Sequence, residues 1–252
     1  MTSFADLHQI GDPLILPNAW DFASAAALVA AGFEAIGTTS LGVAAGLGKR
    51  DGVGNAWEET RALALRLVRL DAHVTIDFEH GFSDDPAEVA EHAAQLEGVA
   101  GINLEDRYGD PAHHAAVIAA VKDRLPDLFV NARTDTHWLR DGELAEALSR
   151  ARLYVEAGAD GVFVPGLPLE DVDAFTDEID APLNVLYQPG QTVEDLAARG
   201  AARISTGSML FRAALQTGVA AAVALRAGDD LSRAQLPSYD AVDSLAGEGG
   251  VS

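Results

Sequence analysis

No cysteine occurs among the 252 residues. That absence excludes disulfides, thiolate-bound zinc, iron–sulfur clusters and a cysteine nucleophile. Lysine is almost missing too: Lys49 and Lys122 are the only two, and every other cation is an arginine. Positive charge is scarce overall, with 17 Lys and Arg against 39 Asp and Glu, a net −22. Such a chain has no basic footprint for a phosphate backbone, so nucleic acid is excluded as a partner. An anionic membrane surface is disfavoured for the same reason. No apolar run stands out as approaching the ~18 residues of a membrane span. Residues 1–13 lack the basic start and apolar stretch of a signal peptide, so the expectation is a cytoplasmic protein. The acid excess leaves two readings open, an ordinary solvated surface and a surface adapted to salt.

What is present is a regular alternation. Short β-branched runs fall at 14–16, 35–38, 74–78, 101–104, 129–132, 161–164, 183–186 and 203–206. Ala-rich segments of helical period follow them at 21–31, 56–70, 86–96, 111–124, 142–157, 168–178, 192–199 and 208–225. Asp85-Pro86 and Asp110-Pro111 each place an N-cap acceptor before a first-turn proline. Gly32, Gly158 and Gly200 fall where helices should end, each just before a strand. Eight strand–helix units in this length predict a closed parallel (β/α)8 TIM-type barrel over residues 1–226. Residues 227–252 are expected to add a C-terminal helix and a disordered tail. No strand leads into a G-x-G-x-x-G turn, which lowers the dinucleotide-binding alternative.

Chemistry in such a barrel sits at the C-terminal strand ends. The first strand leads to Asn18, and the second to Thr39, Ser40 and a glycine-rich loop, 42–54, that holds Lys49, Arg50 and Asp51. The third ends in Asp77-Phe78-Glu79-His80, the fourth in Glu105-Asp106-Arg107 and the fifth in Arg133-Thr134-Asp135. Asp77 and Glu79, two apart, should face one side of their strand, with Glu105 arriving beside them. Three converging carboxylates repel unless a cation sits between them, and an all-oxygen set suits Mg²⁺ or Mn²⁺. Arg133 reads as a clamp for a carboxylate or phosphate, or as the ion-pair partner of Asp106 or Asp135. His80 is an acid/base candidate, His113-His114 reads as solvated, and His137 is a candidate for the mouth.

The segments TTSLGVAAGLGKRDG, TIDFEHGFSDDP, GINLEDR and NARTD, in this order, resemble the isocitrate lyase/phosphoenolpyruvate mutase superfamily. The resemblance spans residues 14–215, most of the chain. It implies a (β/α)8 barrel that binds Mg²⁺ and a 2-oxo acid or its enolate. It also implies that Asp77 holds the metal, with Glu79 and Glu105 helping through water. Under it Thr39 and Ser40 grip the substrate carboxylate, Arg133 clamps the reacting bond, and Asp51 is the aspartate that closes the glycine-rich loop; His80 joins the catalytic candidates from its place beside the acids alone. It further implies a homotetramer or dimer that exchanges C-terminal helices. One departure stands out: the K-[KR]-C-G-H loop of the lyases is replaced by residues 105–111, which have no Lys and no Cys. The mutase-type loop, which supplies Lys and Asn, is missing too. Tyr108, His80 and Tyr187 are the candidate replacements for the lid acid.

Three functions follow as expectations. The first is a Mg²⁺-dependent lyase that cleaves or decarboxylates a small 2-oxo or 2-hydroxy carboxylate through an enolate. The second is a phosphonate P–C mutase or hydrolase. The third is a 2-oxo acid binding protein without turnover. Gly166, Tyr187, Gln188 and Ser208 lie in the later loops, where substrate choice is expected to reside.

Overall fold

The computed structural model describes residues 2–139, 142–231 and 236–246. Its strands are β1 (Leu14–Leu16), β2 (Asn18–Ala19), β3 (Ala35–Thr38), β4 (His73–Asp77), β5 (Gly101–Glu105), β6 (Phe129–Arg133), β7 (Gly161–Val164), β8 (Leu183–Leu186) and β9 (Arg203–Ser205). All pair in parallel, in the order β1-β9-β8-β7-β6-β5-β4-β3-β2. β1 and β2 are two halves of one strand interrupted at Pro17, which has no N–H to offer a ladder. One half pairs with β9 and the other with β3, so this broken strand closes the barrel. The (β/α)8 expectation holds: seven of the eight predicted strands lie within one residue of their expected bounds, and the first, expected at 14–16, resumes beyond Pro17 as far as Ala19.

The helices start where the sequence supplies acceptors. Asp21 and Ser24 form a reciprocal capping box on α1 (Phe22–Ala30). Asp85 caps α4 (Pro86–Ala94) and Asp110 caps α5 (Pro111–Arg124), each accepting from the second helical N–H beyond a first-turn proline. Gly32, Gly158 and Gly200 all adopt positive φ at the helix-to-strand joints. The other helices are α2 (Ser40–Gly46), α3 (Trp57–Leu67), α6 (Thr136–Leu139), α7 (Leu144–Glu156), α8 (Val172–Glu178), α9 (Val193–Ala198), α10 (Met209–Ala227) and α11 (Tyr239–Asp243). The sequence reading missed α2 and α6, short turns in segments read as loops.

Alternation along the strands sorts their side chains. Val74, Ile76, Ile102, Leu104, Val130 and Ala132 face outward into a core shared with the helices. The opposite faces carry Thr75, Asp77, Asn103, Glu105, Asn131, Arg133, Asn184 and Arg203, so the barrel interior is polar. Its lower end is plugged by Phe4, Leu16, Ala35 and Phe129, with His8 stacked on Phe129 at 4.5 Å.

α10 behaves differently from the other long helices. Among its residues only Phe211 is buried, and Leu215, Val219 and Val223, four apart, are exposed at 54%, 60% and 48%. Length and composition alone would let it cross a membrane, with a mean hydropathy of 1.2. This corrects the expectation that no run reaches that length: here the hydropathy comes from alanines spread among a few larger residues. A turn at Ser244–Ala246 packs back against α1. The predicted disordered end, 247–252, lies outside the described residues.

Candidate active site

A cavity of about 270 Å³ opens at the C-terminal ends of the strands. Thr39, Ser40, Asp51, Asp77 and Arg133 all line it, so five of the predicted site residues meet in one place. Asp77 is gripped from two sides. Its own N–H donates to Thr38 Oγ1 at 2.9 Å, and its Oδ2 accepts from the Ser40 N–H at 2.8 Å.

Arg133 is fixed by two acids. Its Nη1 lies 2.8 Å from Glu105 Oε2, and its Nε donates to Asp135 Oδ1 at 2.7 Å. The guanidinium also sits 5.9 Å above the Phe163 ring. Of the two ion-pair partners weighed from sequence, Asp135 is the one used. Asp106 is turned away to Arg150.

The strand geometry expected for Glu79 does not continue. β4 ends at Asp77, and Glu79 has φ +48°, which breaks the two-residue alternation. Its carboxylate is buried and accepts from the Gly54 N–H at 3.0 Å. His80 does not line the mouth. It faces a neighbouring cleft of about 500 Å³ along with Glu105, Asp106, Arg107 and His113, its ring packed against Gly54. His114, read as solvated, is instead buried against the Tyr154 ring, and burial pushes its imidazole down to about 4. Trp138 rather than His137 reaches the mouth.

The acids outnumber the cations here. Burial pushes Glu105 up to about 8 even with Arg133 in contact, because Asp135, Asp77 and Glu79 all add negative charge. Glu79, Asp51 and Asp135 are raised too, burial being the main cause in each. A hard divalent cation fits such a set of oxygen donors. Among the described residues no three His, Asp or Glu side chains close on one point. The fit is therefore that of an ion held by one carboxylate and water, the usual habit of Mg²⁺. Asp77 would be its ligand, with Glu79 and Glu105 behind.

The rest of the lining was not legible beforehand. Leu41, Trp138, Phe163, Pro165, Leu186, Pro189 and Met209 form an apolar wall, and Asn18, Asn103, Tyr187, Ser208 and Arg212 add polar groups. Tyr187 and Ser208 had been noted only by their place after late strands, and Gly166 and Gln188 do not join them. Tyr108 lies instead with Arg150 4.6 Å above its ring, so Tyr187 is the lid-acid candidate that reaches the cavity.

The loop after β5, residues 106–110, contributes nothing to the mouth cavity. Asp106 pins it. Its Oδ1 accepts from the N–H groups of Tyr108 (2.8 Å) and Asp135 (3.0 Å), and its Oδ2 from Arg150 (2.9 Å) and the Tyr154 hydroxyl (2.7 Å). Arg150 also donates to the Gly109 carbonyl. Burial opposes ionisation of Asp106, but these donors hold its carboxyl below the usual range.

Comparison with known proteins follows the same lines. The family model described as phosphoenolpyruvate phosphomutase matches residues 4–226. The uncharacterized protein Rv1998c of Mycobacterium tuberculosis (strain ATCC 25618 / H37Rv) is 46% identical over 237 residues, 92% of each chain. The 2-methylisocitrate lyase of Bacillus subtilis (strain 168) is 30% identical over 197 residues, 71% of this chain and 64% of that one. Among solved structures, a candidate phosphonomutase from Burkholderia cenocepacia J2315 superposes with a TM-score of 0.83 at 37% identity, covering 87% of this chain and 97% of that one.

Proposed function

Since the chain belongs to the phosphoenolpyruvate phosphomutase family, within the phosphoenolpyruvate mutase/isocitrate lyase superfamily of lyases and mutases, we propose that it is a Mg²⁺-dependent carbon–carbon lyase. Its substrate is a small 2-oxo or 2-hydroxy carboxylate, cleaved or decarboxylated through an enolate. The observation that carries this reading is the meeting of Asp77, Arg133, Thr39 and Ser40 in one cavity. A bound Mg²⁺ (or Mn²⁺) would polarise the 2-oxo group and offset the charge that develops there.

The chain's own residues do the remaining work. Thr39 and Ser40 hold the substrate carboxylate against the end of β3. Arg133 lines the cavity, with its Nε and Nη1 held by Asp135 and Glu105. A preset donor of this kind favours the enolate over the ketone, because it needs no reorganisation as charge appears. Tyr187 is the hydroxyl that can move a proton at the mouth. The apolar wall favours a substrate with a short hydrocarbon arm.

The phosphonate reading has the family model's description in its favour. Against it stands the fixed five-residue loop, which brings neither Lys nor Asn to the site. The test incubates the protein and Mg²⁺ with oxaloacetate, methylisocitrate, isocitrate and phosphonopyruvate, reading pyruvate, glyoxylate and phosphate. Turnover of a carboxylate alone is expected; turnover of phosphonopyruvate alone overturns the lyase reading.

We also propose a dimer or tetramer in which the apolar stripe of α10 is covered by another copy. Its support is the exposure of Leu215, Val219 and Val223 on a helix that barely touches its own barrel.

A further inference from the structure

A polar column stands inside the barrel beneath the mouth. Arg203 on β9 is fully buried, and its Nη2 donates to Asn103 Oδ1 on β5 at 3.1 Å. Those strands are not neighbours in the sheet, so the bond crosses the interior. Asn131 on β6 donates from Nδ2 to the same oxygen at 2.8 Å. A guanidinium carries donors and no acceptor, so the Asn103 atom that faces it is the carbonyl oxygen. Two donors then occupy that oxygen. Turning the amide over would set an NH₂ against both of them, which costs the full penalty of unmade buried bonds.

The other end of the amide is thereby fixed. Asn103 Nδ2 makes no hydrogen bond among the described residues, and it is not one of the sealed, unpartnered atoms of the interior. Asn103 lines the mouth cavity and stands opposite Asp77 in the β4–β5 register. The column thus presents one NH₂ group toward the site, next to the carboxylate assigned to the cation. Among the described residues Arg203 pairs with no carboxylate, and its Nε and Nη1 lack partners. A buried cation so placed is expensive. Its one side-chain hydrogen bond among the described residues is the one that orients Asn103.

We propose that Asn103 is a ligand-binding residue whose amide NH₂ donates to an oxygen of the 2-oxo acid. Arg203 and Asn131 are positioning residues that hold the amide in the donating orientation. The inference rests on the 2-oxo acid reading given above, and it adds to that site a neutral donor selective for an oxygen acceptor. A rigid donor beside Asp77 strengthens its bond as the substrate oxygen gains charge.

Calorimetric titration of oxalate into the Mg²⁺-saturated protein tests this, with Mg²⁺ titrated alone and the melting temperature as controls. Asn103→Asp keeps the shape and replaces the NH₂ by oxygen; Asn103→Ala removes the NH₂ without adding charge. Both are expected to weaken oxalate about 10- to 100-fold, the range for a hydrogen bond to a charged group, without weakening Mg²⁺. Arg203→Gln brings an acceptor that no longer dictates which way Asn103 faces, and should also weaken oxalate. Arg203→Lys, a donor-only cation, should keep near wild-type affinity. Folded Asn103 variants that bind oxalate as tightly as the wild type overturn the proposal and leave the 2-oxo acid reading standing. A wild-type protein that fails to bind oxalate in the presence of Mg²⁺ overturns both.

Discussion

Asp77 is oriented before any ligand arrives, by Thr38 on one side and the Ser40 N–H on the other. Asp77→Ala should therefore abolish both the Mg²⁺-induced and the oxalate-induced rise in melting temperature; a variant that keeps both refutes the metal assignment. Arg133→Ala removes a preset donor and should lower kcat/KM about 10²- to 10³-fold, with Mg²⁺ binding little changed in calorimetry. Glu105 carries a pH signature. Its ordinary value is 4.5, and burial raises it to about 8 in the fold. Between those values the folded state keeps a proton that the unfolded state has lost, so this group's stabilisation falls as pH rises from 4.5 and is fully lost once pH passes about 8. Melting curves of the metal-free protein should show that decline, and Glu105→Gln should flatten it. Mg²⁺ should flatten it as well, by favouring the ionised carboxylate. Little of this could be read from spacing. The convergence of Asp77 and Arg133 was legible because both end strands, whereas the turn of Glu79 depends on a positive φ that no side-chain pattern announces.

The element that departs most from the family's expected form is the loop after β5. Sequence showed that it is short and lacks Lys and Cys. It could not show that Asp106, read as a partner for Arg133, would instead tie Tyr108, Asp135, Arg150 and Tyr154 into one buried knot. Breaking that knot should be costly. Arg150→Met strands the Asp106 carboxylate, whose side chain is 0% exposed, and should destabilise by about 3–5 kcal/mol. Chemical denaturation would measure this, and a loss below about 1 kcal/mol, the worth of a surface pair, would mean that the loop is held by other contacts. Strands and long helices were legible because alternation and Asp-Pro caps are local signals. The short helices α2 and α6 and the burial of His114 were not, since each is decided by what packs over it.

At the scale of the whole molecule, two properties await measurement. The exposed stripe of α10 predicts self-association: replacing Leu215 and Val219 by Asp should shift sedimentation from an assembly to a monomer, whereas a wild-type monomer would discount it. The net charge of −22 predicts a response to salt. Raising ionic strength from about 0.1 M to 1 M shortens the screening length from about 10 Å to 3 Å. If the surface is salt-adapted, the melting temperature climbs along that range; a flat curve assigns the acids to ordinary solvation. The barrel itself was legible from eight repeats of one unit, but its closure through a strand split at Pro17 was not, because only the pairing partners reveal that β1 and β2 serve different neighbours.

The knot at Asp106 has a kinetic consequence. Lid opening and closing, on the microsecond-to-millisecond scale, limits turnover in many enzymes. A loop whose own buried carboxylate accepts three hydrogen bonds from Asp135, Arg150 and Tyr154 outside it offers no such step. Turnover here should be paced by bond cleavage, so kcat should be indifferent to solvent viscosity, and a ¹³C label at the breaking bond should express its full isotope effect.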